Sequence, residues 1–377
     1  MPDQLLCPQG NFQLTRCPEN KKQGLRAWDA ADEYLLNELN DRQALTEPKK
    51  ILLINDGFGA LTTALAARHQ ITVWSDSYLS WQCSSKNLAE NQVSDESIKW
   101  LKSTETPTGE FDLVLMKIPK SHLYLQDLLQ RVSSVLTANT FFVAAAMTKN
   151  IHTSTLNIFE KTLGYTTTSL AKKKARLVFV ETEKCKAEKH EVITRKYPLE
   201  NTKFQLVNYS NVFSAQKLDI GTRLLLKNIN DDCGDKTIID MGCGNGALGI
   251  AAAEKNPGAK VIFTDESFMA VQSASENFNN SGLENEVEFF ATDCLQGVES
   301  SSAELIMNNP PFHQQHVVGT QLATKMFCDA KRVLKRGGEL WVIGNRHLGY
   351  HHTLKKLFGN SELIASDSKF VVLRAVN

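Results

Sequence analysis

The 377-residue sequence has no excess of charge of either sign, because 42 lysines and arginines balance 42 aspartates and glutamates. It therefore has no overall basic character for attracting nucleic acid, although a local basic patch is still allowed. Its eight cysteines include no CxxC pair, and no secretory segment is visible at the N-terminus, which predicts free thiols in a reducing cytoplasm. No apolar run approaches the length of a membrane span, so we expect neither insertion nor export.

What the chain does contain is an internal repeat. The stretch ILLINDGFGALTTAL, which begins at Ile51, matches TIIDMGCGNGALGIAA, which begins at Thr237. Downstream, VWSDS matches IFTDE and FDLVLMKIPK matches AELIMNNPPF, in the same order and at similar spacing. Such a repeat predicts a duplicated domain. We expect one copy over residues 1–190 and another over residues 191–377, with the polar stretch 181–200 as a linker or edge hairpin.

Each copy alternates short apolar or β-branched runs with longer helical stretches. In the second copy the strand-like runs are TIIDM, KVIFTD, VEFFATD, AELIMNN and ELWVIGN, and helix-like segments such as ALGIAAAEK lie between them. This alternation predicts an α/β fold with a doubly wound, mostly parallel, Rossmann-like sheet in each copy. A last run, FVVLRAV, predicts a late strand near one edge.

Residues 240–246, DMGCGNG, directly follow a predicted strand and directly precede a predicted helix. Glycines there let the backbone approach a ligand, and the helix N-terminus offers N–H donors. The spacing Gly244-x-Gly246-x-x-Gly249 also fits the GxGxxG pattern of dinucleotide-binding folds, which is a weak signal alone. Asp240 favours another ligand, because a carboxylate two residues before the first glycine suits a cation such as S-adenosylmethionine better than a pyrophosphate.

Two further aspartates end the following predicted strands. Asp265 is placed to bind two ribose hydroxyls, and Asp293 to accept a hydrogen bond from an adenine amino group. A single aspartate of this kind is more often a helix cap or a solvated strand end. Three at consecutive strand ends favour a cofactor site, because ligands of such sheets bind at the carboxyl ends of the strands. The predicted S-adenosylmethionine site comprises Asp240, Gly242, Cys243, Gly244, Asn245, Gly246, Asp265 and Asp293.

The corner NPPF, residues 309–312, follows the next predicted strand. Its two prolines remove two backbone donors and fix φ, and by itself such a corner is as well explained by a structural turn. Beside a methyl donor it predicts a catalytic site. The Asn309 side-chain carbonyl and the backbone carbonyl of Pro310, fixed by Pro311, can accept both N–H bonds of a conjugated amine, and Phe312 can stack on its ring. These residues alone predict a methyltransferase of a planar amine or amide.

The first copy lacks these groups. It has Leu53 and Asn55 where the second copy has Asp240 and Gly242, and KIPK where the second copy has NPPF. We expect it to be non-catalytic, and both RNA binding and simple structural support remain open for it. Its candidate RNA contacts form one basic cluster, which comprises Lys172, Lys173, Lys174 and Arg176.

DMGCGNG, NPPF and the duplicated arrangement together resemble the bacterial ribosomal RNA guanine-N2 methyltransferases that are built from two tandem methyltransferase-like domains. The phrases AWDAADEYLL, NIHTSTL, VFSAQKLDIGTR, NNPPFHQQH and NRHLGYHHTLKKLFGN extend the resemblance over essentially the full chain, most closely to members that act on the large subunit. The resemblance implies methyl transfer from S-adenosylmethionine to a guanine N2 of 23S ribosomal RNA, as free RNA rather than the assembled subunit. It also implies the cofactor and corner roles given above.

Other interpretations stay open at this stage. The corner chemistry also suits a methyltransferase of a protein glutamine amide or of DNA adenine, and a non-enzymatic RNA-binding assembly factor belongs to another class. The histidines after NPPF lack partners at ligand-like spacing, so no metal site is expected. His313 and Arg346 are instead candidates for contact with a substrate phosphate or base.

Overall fold

The computed structural model describes residues 3–17, 25–185, 190–229, 234, 236–311 and 320–377. The chain forms two compact units, Met1–Ile193 and Thr194–Asn377. Two residues of the predicted site, Phe312 and His313, lie outside the described residues. Within the described ranges, no helix has the length and apolar character needed to cross a membrane.

The first unit is an α/β domain. Its strands are β1 (Asp3–Cys7), β2 (Gly10–Leu14), β3 (Lys50–Ile54), β4 (Gln70–Ser75), β5 (Ile98–Lys102), β6 (Leu113–Lys117), β7 (Phe141–Met147), β8 (Thr166–Thr168) and β9 (Ala175–Val180). Its helices are α1 (Ala30–Asp41), α2 (Ala60–Leu65), α3 (Tyr78–Glu90), α4 (His122–Val132) and α5 (Thr153–Thr162). In the described part, β1 and β2 form a hairpin, and the other strands form a seven-stranded sheet of order β5-β4-β3-β6-β7-β9-β8.

The second unit repeats this plan. Its strands are β10 (Thr194–Pro198), β11 (Gln205–Tyr209), β12 (Thr237–Met241), β13 (Lys260–Asp265), β14 (Val287–Ala291), β15 (Ala303–Asn308), β16 (Leu334–Asn345), β17 (Glu362–Ser366) and β18 (Phe370–Val376). Its helices are α6 (Ile220–Leu226), α7 (Ala247–Lys255), α8 (Phe268–Ser281), α9 (Thr320–Val333) and α10 (Tyr350–Phe358). Over the described residues, a β10–β11 hairpin accompanies a seven-stranded sheet of order β14-β13-β12-β15-β16-β18-β17.

The central strands pair in parallel and are covered by helices on both faces. In β12, Ile238 and Ile239 point to opposite faces and both are fully buried. The sequence of a strand that is buried on both faces is a nearly continuous apolar run. TIIDM and the neighbouring strand sequences show this pattern and could therefore be predicted as strands. The late strand β18 pairs in antiparallel fashion with β16 and β17 near one edge. The predicted fold of two tandem, mostly parallel Rossmann-like domains is confirmed.

A buried asparagine ties the hairpin of each unit to the loop after the first sheet strand. Asn277 of α8 accepts from the N–H of Val207 at 2.7 Å, and donates to the carbonyls of Val207 at 2.8 Å and Asn245 at 2.9 Å. In the first unit, Asn87 of α3 makes the corresponding contacts. It accepts from the N–H of Thr15 at 2.8 Å, and donates to the carbonyls of Thr15 at 3.0 Å and Phe58, in the loop before α2, at 2.8 Å. Both units therefore share this set of asparagine hydrogen bonds as well as the strand order.

Candidate active site

The glycine loop joins β12 to α7 through three left-handed residues. Gly242, Gly244 and Gly246 have φ values of +73°, +55° and +81°, which L side chains rarely adopt. The N–H groups of Gly242 and Cys243 donate to the carbonyl of Thr264 at 2.8 and 2.9 Å. The loop thus crosses the carboxyl end of β13 before it enters α7.

Asn245 of this loop points into the protein. Its Nδ2 donates to Tyr197 Oη at 2.7 Å and to Asn208 Oδ1 at 2.8 Å, both on the β10–β11 hairpin. Burial raises the pKa of Tyr197 to about 12, so the phenol stays neutral at physiological pH. The Asn245 side chain therefore supports the shape of the loop, which leaves its backbone as the part available to a ligand.

Asp240 lies beneath the loop with 1% of its surface exposed. Its Oδ2 accepts from the Gly249 N–H at 2.8 Å, while its Oδ1 is buried with no hydrogen-bond partner. Burial raises the pKa of this carboxyl to about 8, the Gly249 bond opposes that rise, and the charge of Asp265 adds to it. Gly249 itself allows the close approach, because a Cβ there would lie 2.2 Å from the Phe263 ring.

The other two predicted cofactor aspartates have different surroundings. Asp265 ends β13, and its two oxygens accept from the N–H groups of Gly244 and Ser267, each at 3.0 Å. Asp293 lies just after β14 and forms an ion pair with Lys325 of α9. Asp265 therefore stabilises the glycine loop through its bond to Gly244. The charge of Asp293 is already balanced in part by Lys325.

The corner amide of Asn309 is held in one orientation by the N-terminus of α6. Its Nδ2 donates to Thr222 Oγ1 at 2.9 Å and to Asp219 Oδ2 at 3.2 Å, whereas its Oδ1 is buried with no partner. Asp219 is the N-cap of α6 and also accepts from the Thr222 N–H at 2.9 Å. The nitrogen side of the amide is thus satisfied within the chain, and the oxygen side is left for a donor from outside.

Sequence reasoning missed the two residues that hold this amide. Asp219 and Thr222 lie in VFSAQKLDIGTR, and an aspartate three residues before a threonine at a helix start was a visible capping signal. Nothing in that signal says that the cap also reaches Asn309, which follows 90 residues later. Of the adjoining corner residues, Pro310 is buried and Pro311 is exposed.

Buried oxygens without a hydrogen-bond partner collect at the carboxyl ends of the sheet strands in the second unit. They are Asp240 Oδ1, Thr264 Oγ1, Asn308 Oδ1, Asn309 Oδ1 and Asn345 Oδ1. Each such atom costs about 1–3 kcal/mol unless a ligand or water satisfies it. In the first unit, no unpartnered buried oxygen lies at the described strand ends of the seven-stranded sheet. The set fits a cofactor that brings many N–H and O–H donors, as S-adenosylmethionine does through its ammonium, ribose and adenine groups.

The first unit places a cation where the second unit has the corner amide of Asn309. Lys117, at the end of β6, pairs with Asp29 at 2.8 Å and with Asp32 at 2.7 Å. Asp29 is the N-cap of α1, as Asp219 is of α6. The corner of the first unit is therefore closed by an ion pair and presents no amide oxygen.

The first unit also keeps a carboxylate under its glycine loop, although at another position. Asp56 Oδ2 accepts from the backbone N–H and the hydroxyl of Thr62, both at 2.7 Å. This bond corresponds to that between Asp240 and Gly249, so the acid lost at Leu53 has been replaced by one three residues later in the chain. The hydrogen bond from the first turn of the helix to a carboxylate is thus present in both units. An unpartnered carboxylate oxygen like Asp240 Oδ1 is found only in the second unit among the described residues.

The remaining predicted substrate contacts are already engaged in part. Arg346 follows β16 and donates from Nη2 to the carbonyl of Asp367 at 2.7 Å. On the exposed turn between β8 and β9, Lys173 pairs with Glu33 at 2.8 Å and the Lys172 ammonium lies 4.7 Å from the centre of the Tyr34 ring. The cluster is completed by Lys174, which is exposed, and Arg176, whose Nε is buried without a partner. Across the described ranges, no group of three or more metal-ligating side chains is found.

Comparisons with known proteins agree with this organisation. Residues 2–184 match the family described as RLMG N-terminal domain, and residues 203–374 match the Methyltransferase small domain family. A solved structure of the Thermus thermophilus enzyme RsmC, described as a 16S rRNA N2 G1207 methyltransferase in complex with AdoMet and guanosine, covers 100% of this chain and 98% of its own, with a TM-score of 0.78 at 20% identity. That likeness extends the shared fold over both units.

Curated relatives are similar along the whole length. Ribosomal RNA large subunit methyltransferase G of Vibrio vulnificus is 46% identical over 365 residues, which cover 96% of each chain. The protein of the same name from Streptomyces avermitilis is 44% identical over 381 residues, which cover 100% of each chain. With identity at this level along nearly all of both chains, the protein belongs to the ribosomal RNA large subunit methyltransferase G family.

Proposed function

We propose that this chain transfers a methyl group from S-adenosylmethionine to the exocyclic N2 amine of one guanine in 23S ribosomal RNA. Family membership makes the chain a methyltransferase and confirms S-adenosylmethionine as its predicted cofactor. The relatives are named for the RNA of the large ribosomal subunit, so the protein-amide, DNA-adenine and non-enzymatic alternatives lose their support.

The observation that carries the proposal is the half-satisfied amide of Asn309. The Asn309 nitrogen is bonded to Thr222 and Asp219, and its buried oxygen has no partner. An aromatic amine is a poor nucleophile, because its lone pair is conjugated with the ring. Asn309 Oδ1 and the Pro310 carbonyl can accept its two N–H bonds, turn the lone pair out of conjugation and stabilise the positive charge that builds on nitrogen.

The residues of the strand ends fit the cofactor. The glycine loop offers backbone N–H groups at the start of α7, Asp265 would hold ribose hydroxyls, and Asp240 and Asp293 would supply acceptors for the ammonium and adenine amino groups. S-adenosylmethionine supplies the electrophilic methyl group. The chain needs no strong general base, since the proton of the amine can leave after transfer.

We expect the first unit to bind RNA through exposed lysines. Lys120 and Lys149 are exposed, and partial burial together with the charge of Lys149 lowers the pKa of Lys120. The carbonyl of Lys174 accepts from the Thr148 N–H at 2.7 Å, which joins the predicted basic cluster to this pair. Phosphates would neutralise such cations. We extend the proposal to free RNA as the preferred substrate, to the cytoplasm as the location, and to a catalytic role for the second unit alone.

The test is transfer of labelled methyl from S-adenosylmethionine to RNA from cells that lack this protein. Deproteinised 23S RNA, 16S RNA, assembled large subunits, DNA and a release factor are compared, and labelled products are identified by nucleoside analysis. We expect N2-methylguanosine from 23S RNA, with more label from free RNA than from subunits. Label in another nucleoside or substrate would overturn the proposed specificity.

The matched variant is Asn309→Ala. We expect it to abolish transfer while its affinity for S-adenosylmethionine stays within about twofold, because the amide serves the amine and not the cofactor. Retained transfer, or loss of cofactor binding, would contradict the role given to the corner.

A further inference from the structure

Asn345 is a buried amide that the sequence motifs did not single out. It ends β16 with 9% of its surface exposed, and its Oδ1 is buried without a hydrogen-bond partner. It occupies the N-cap position of the 3₁₀ turn Arg346–Leu348, yet its side chain makes no capping bond. An asparagine at an N-cap commonly satisfies its oxygen on the turn that follows, so the Asn345 oxygen is left open to a donor from outside the chain.

Asn345 and Asn309 lie on the face of the sheet that α6 covers. Ile343, two residues before Asn345 on β16, belongs to a core cluster that also contains Leu225 of α6, and side chains two apart in a strand share a face. Asn309 follows β15, and its hydrogen bonds to Asp219 and Thr222 place its amide against the start of the same helix. Their strands β16 and β15 are parallel neighbours, so both amides lie at the same carboxyl edge.

Helix α6 brings this face of β16 to the corner. A Cβ on Gly221 would lie 3.2 Å from Ile343 and 3.3 Å from the ring of Phe370, which is the register partner of Asn345. Gly221 stands between Asp219 and Thr222, the two residues that hold the Asn309 amide. Asn345 therefore borders the corner into which the unpaired oxygen of Asn309 opens.

The first unit provides a natural comparison. Met147 ends β7 and precedes a 3₁₀ turn, as Asn345 ends β16, and both strands follow the corner strand in their sheets. Where the corner amide has become Lys117, the neighbouring strand thus ends in an apolar residue. The first unit therefore has this plan of strands without a polar group at the position of Asn345.

We propose that Asn345 reads the Watson–Crick edge of the target guanine, an inference that rests on the proposed function. Guanine presents its N1 hydrogen and its O6 beside the N2 amine. With that amine at Asn309, the Asn345 Oδ1 accepts from N1–H and its Nδ2 donates to O6. An amide matches this donor and acceptor pair in a bidentate manner, which selects guanine over purines that share only the amine.

The experiment compares two purines at the methylated position of a synthetic 23S fragment that the wild-type protein modifies. One fragment carries guanine and the other 2-aminopurine, which keeps the N2 amine but lacks O6 and the N1 hydrogen. The variant is Asn345→Met, because the first unit shows that methionine fits this place in the fold. Initial rates give kcat/KM for each fragment, and calorimetry gives the affinity for S-adenosylmethionine.

In the variant we expect kcat/KM for guanine to fall about 10- to 100-fold, with little change for 2-aminopurine, so that the preference largely disappears. The ratio cancels the difference in intrinsic reactivity between the two amines. An equal fall for both fragments, an unchanged preference or a weakened cofactor affinity would overturn the inference.

Two controls keep the result interpretable. Asn345→Ser, which is small and polar, should lose the preference in the same way, and it replaces the methionine variant if that protein does not fold. Failure of the proposed function is seen separately, because the wild-type protein would then place no methyl group on N2 of the guanine fragment. Loss of preference in both variants with native cofactor binding supports the inference.

Discussion

Thr222 Oγ1 accepts a hydrogen bond of 2.9 Å from Asn309 Nδ2, although 87 residues separate the two along the chain. The same hydroxyl lies 3.4 Å from Asp219 Oδ2, to which it can donate, and Asp219 also accepts from Asn309 directly. Amide, hydroxyl and carboxylate thus fix one another's direction. The direction of the Asn309 oxygen is therefore set by the chain itself, which is the preorganisation that its proposed catalytic role requires.

Removal of the Thr222 hydroxyl should therefore impair catalysis more than binding. In Thr222→Val the shape is kept but the acceptor for Asn309 is lost, so the amide can turn. We expect kcat to fall about 10- to 100-fold, because small errors in the position of a catalytic group have effects of this size. Affinity for S-adenosylmethionine should stay within about twofold, and Thr222→Ser should restore most of the rate. A valine variant with the wild-type kcat would refute the positioning role.

In the first unit, the ion pair of Lys117 with Asp29 and Asp32 takes the place of the amide corner, and its loss should lower the free energy of unfolding. Lys117→Met would leave Asp32, which is 5% exposed, without its counter-ion. Burial already raises the pKa of Asp32 to about 6, despite the opposing charge of Lys117. We expect a loss of up to about 3 kcal/mol, at the low end for a broken buried pair because Asp29 is half exposed.

The loss should also depend on pH. Without Lys117 the folded-state pKa of Asp32 rises further above its unfolded value, so stability is lost as pH increases from 5 to 8. Thermal unfolding across that range measures the effect, and Lys117→Met with Asp32→Asn should recover part of it. A pH-independent deficit would mean that packing, and not charge, is responsible.

The sequence predicted the strands and the glycine loop because both are local. TIIDM and ALGIAAAEK coincide with β12 and α7, since a buried parallel strand and an apolar helix are written as uninterrupted runs. The left-handed turns at Gly242, Gly244 and Gly246 are likewise visible from residue type. Local patterns of this kind determine where an element begins and ends.

What the sequence could not supply is which atoms meet across the fold. Comparison of the two repeats showed that Leu53 stands where the second copy has Asp240. It did not show that Asp56 instead accepts the hydrogen bond from Thr62 in the following helix. That bond persists because the first N–H groups of a helix need an acceptor, wherever along the loop the carboxylate comes from. Likewise, Asp240 was recognisable as an acid before glycines, yet its burial and its bond to Gly249 depend on packing.

The buried carboxyl of Asp240 makes stability dependent on pH. Its folded-state pKa is about 8, far above the usual value for aspartate, so the folded chain holds a proton there that the unfolded chain has lost. The stability that this proton provides is complete below about pH 4 and is lost as pH rises towards 8. Asp240→Asn keeps an acceptor for Gly249 and does not titrate. Its melting temperature relative to wild type should therefore increase between pH 5 and 8, and a constant difference would show that the wild-type carboxyl does not titrate in that range.

The lysine pair of the first unit gives the test of RNA binding by that unit. Neither Lys120 nor Lys149 is paired with a carboxylate in the described part of the chain, and the pKa of Lys120 is lowered by partial burial and, less strongly, by the charge of Lys149. A phosphate would neutralise these two charges. In the double variant Lys120→Gln, Lys149→Gln, we expect weaker binding to 23S RNA and a dependence of log affinity on log salt that is less steep by about 1 to 2.

Lys173→Gln is the comparison variant from the predicted basic cluster: its ammonium is already paired with Glu33, so its loss should weaken RNA binding less than loss of the lysine pair. Filter binding at several salt concentrations distinguishes the variants, and S-adenosylmethionine affinity should be the same in all of them. If the double variant keeps the wild-type salt dependence, the pair does not contact phosphate. Structural support would then remain as the role of the first unit.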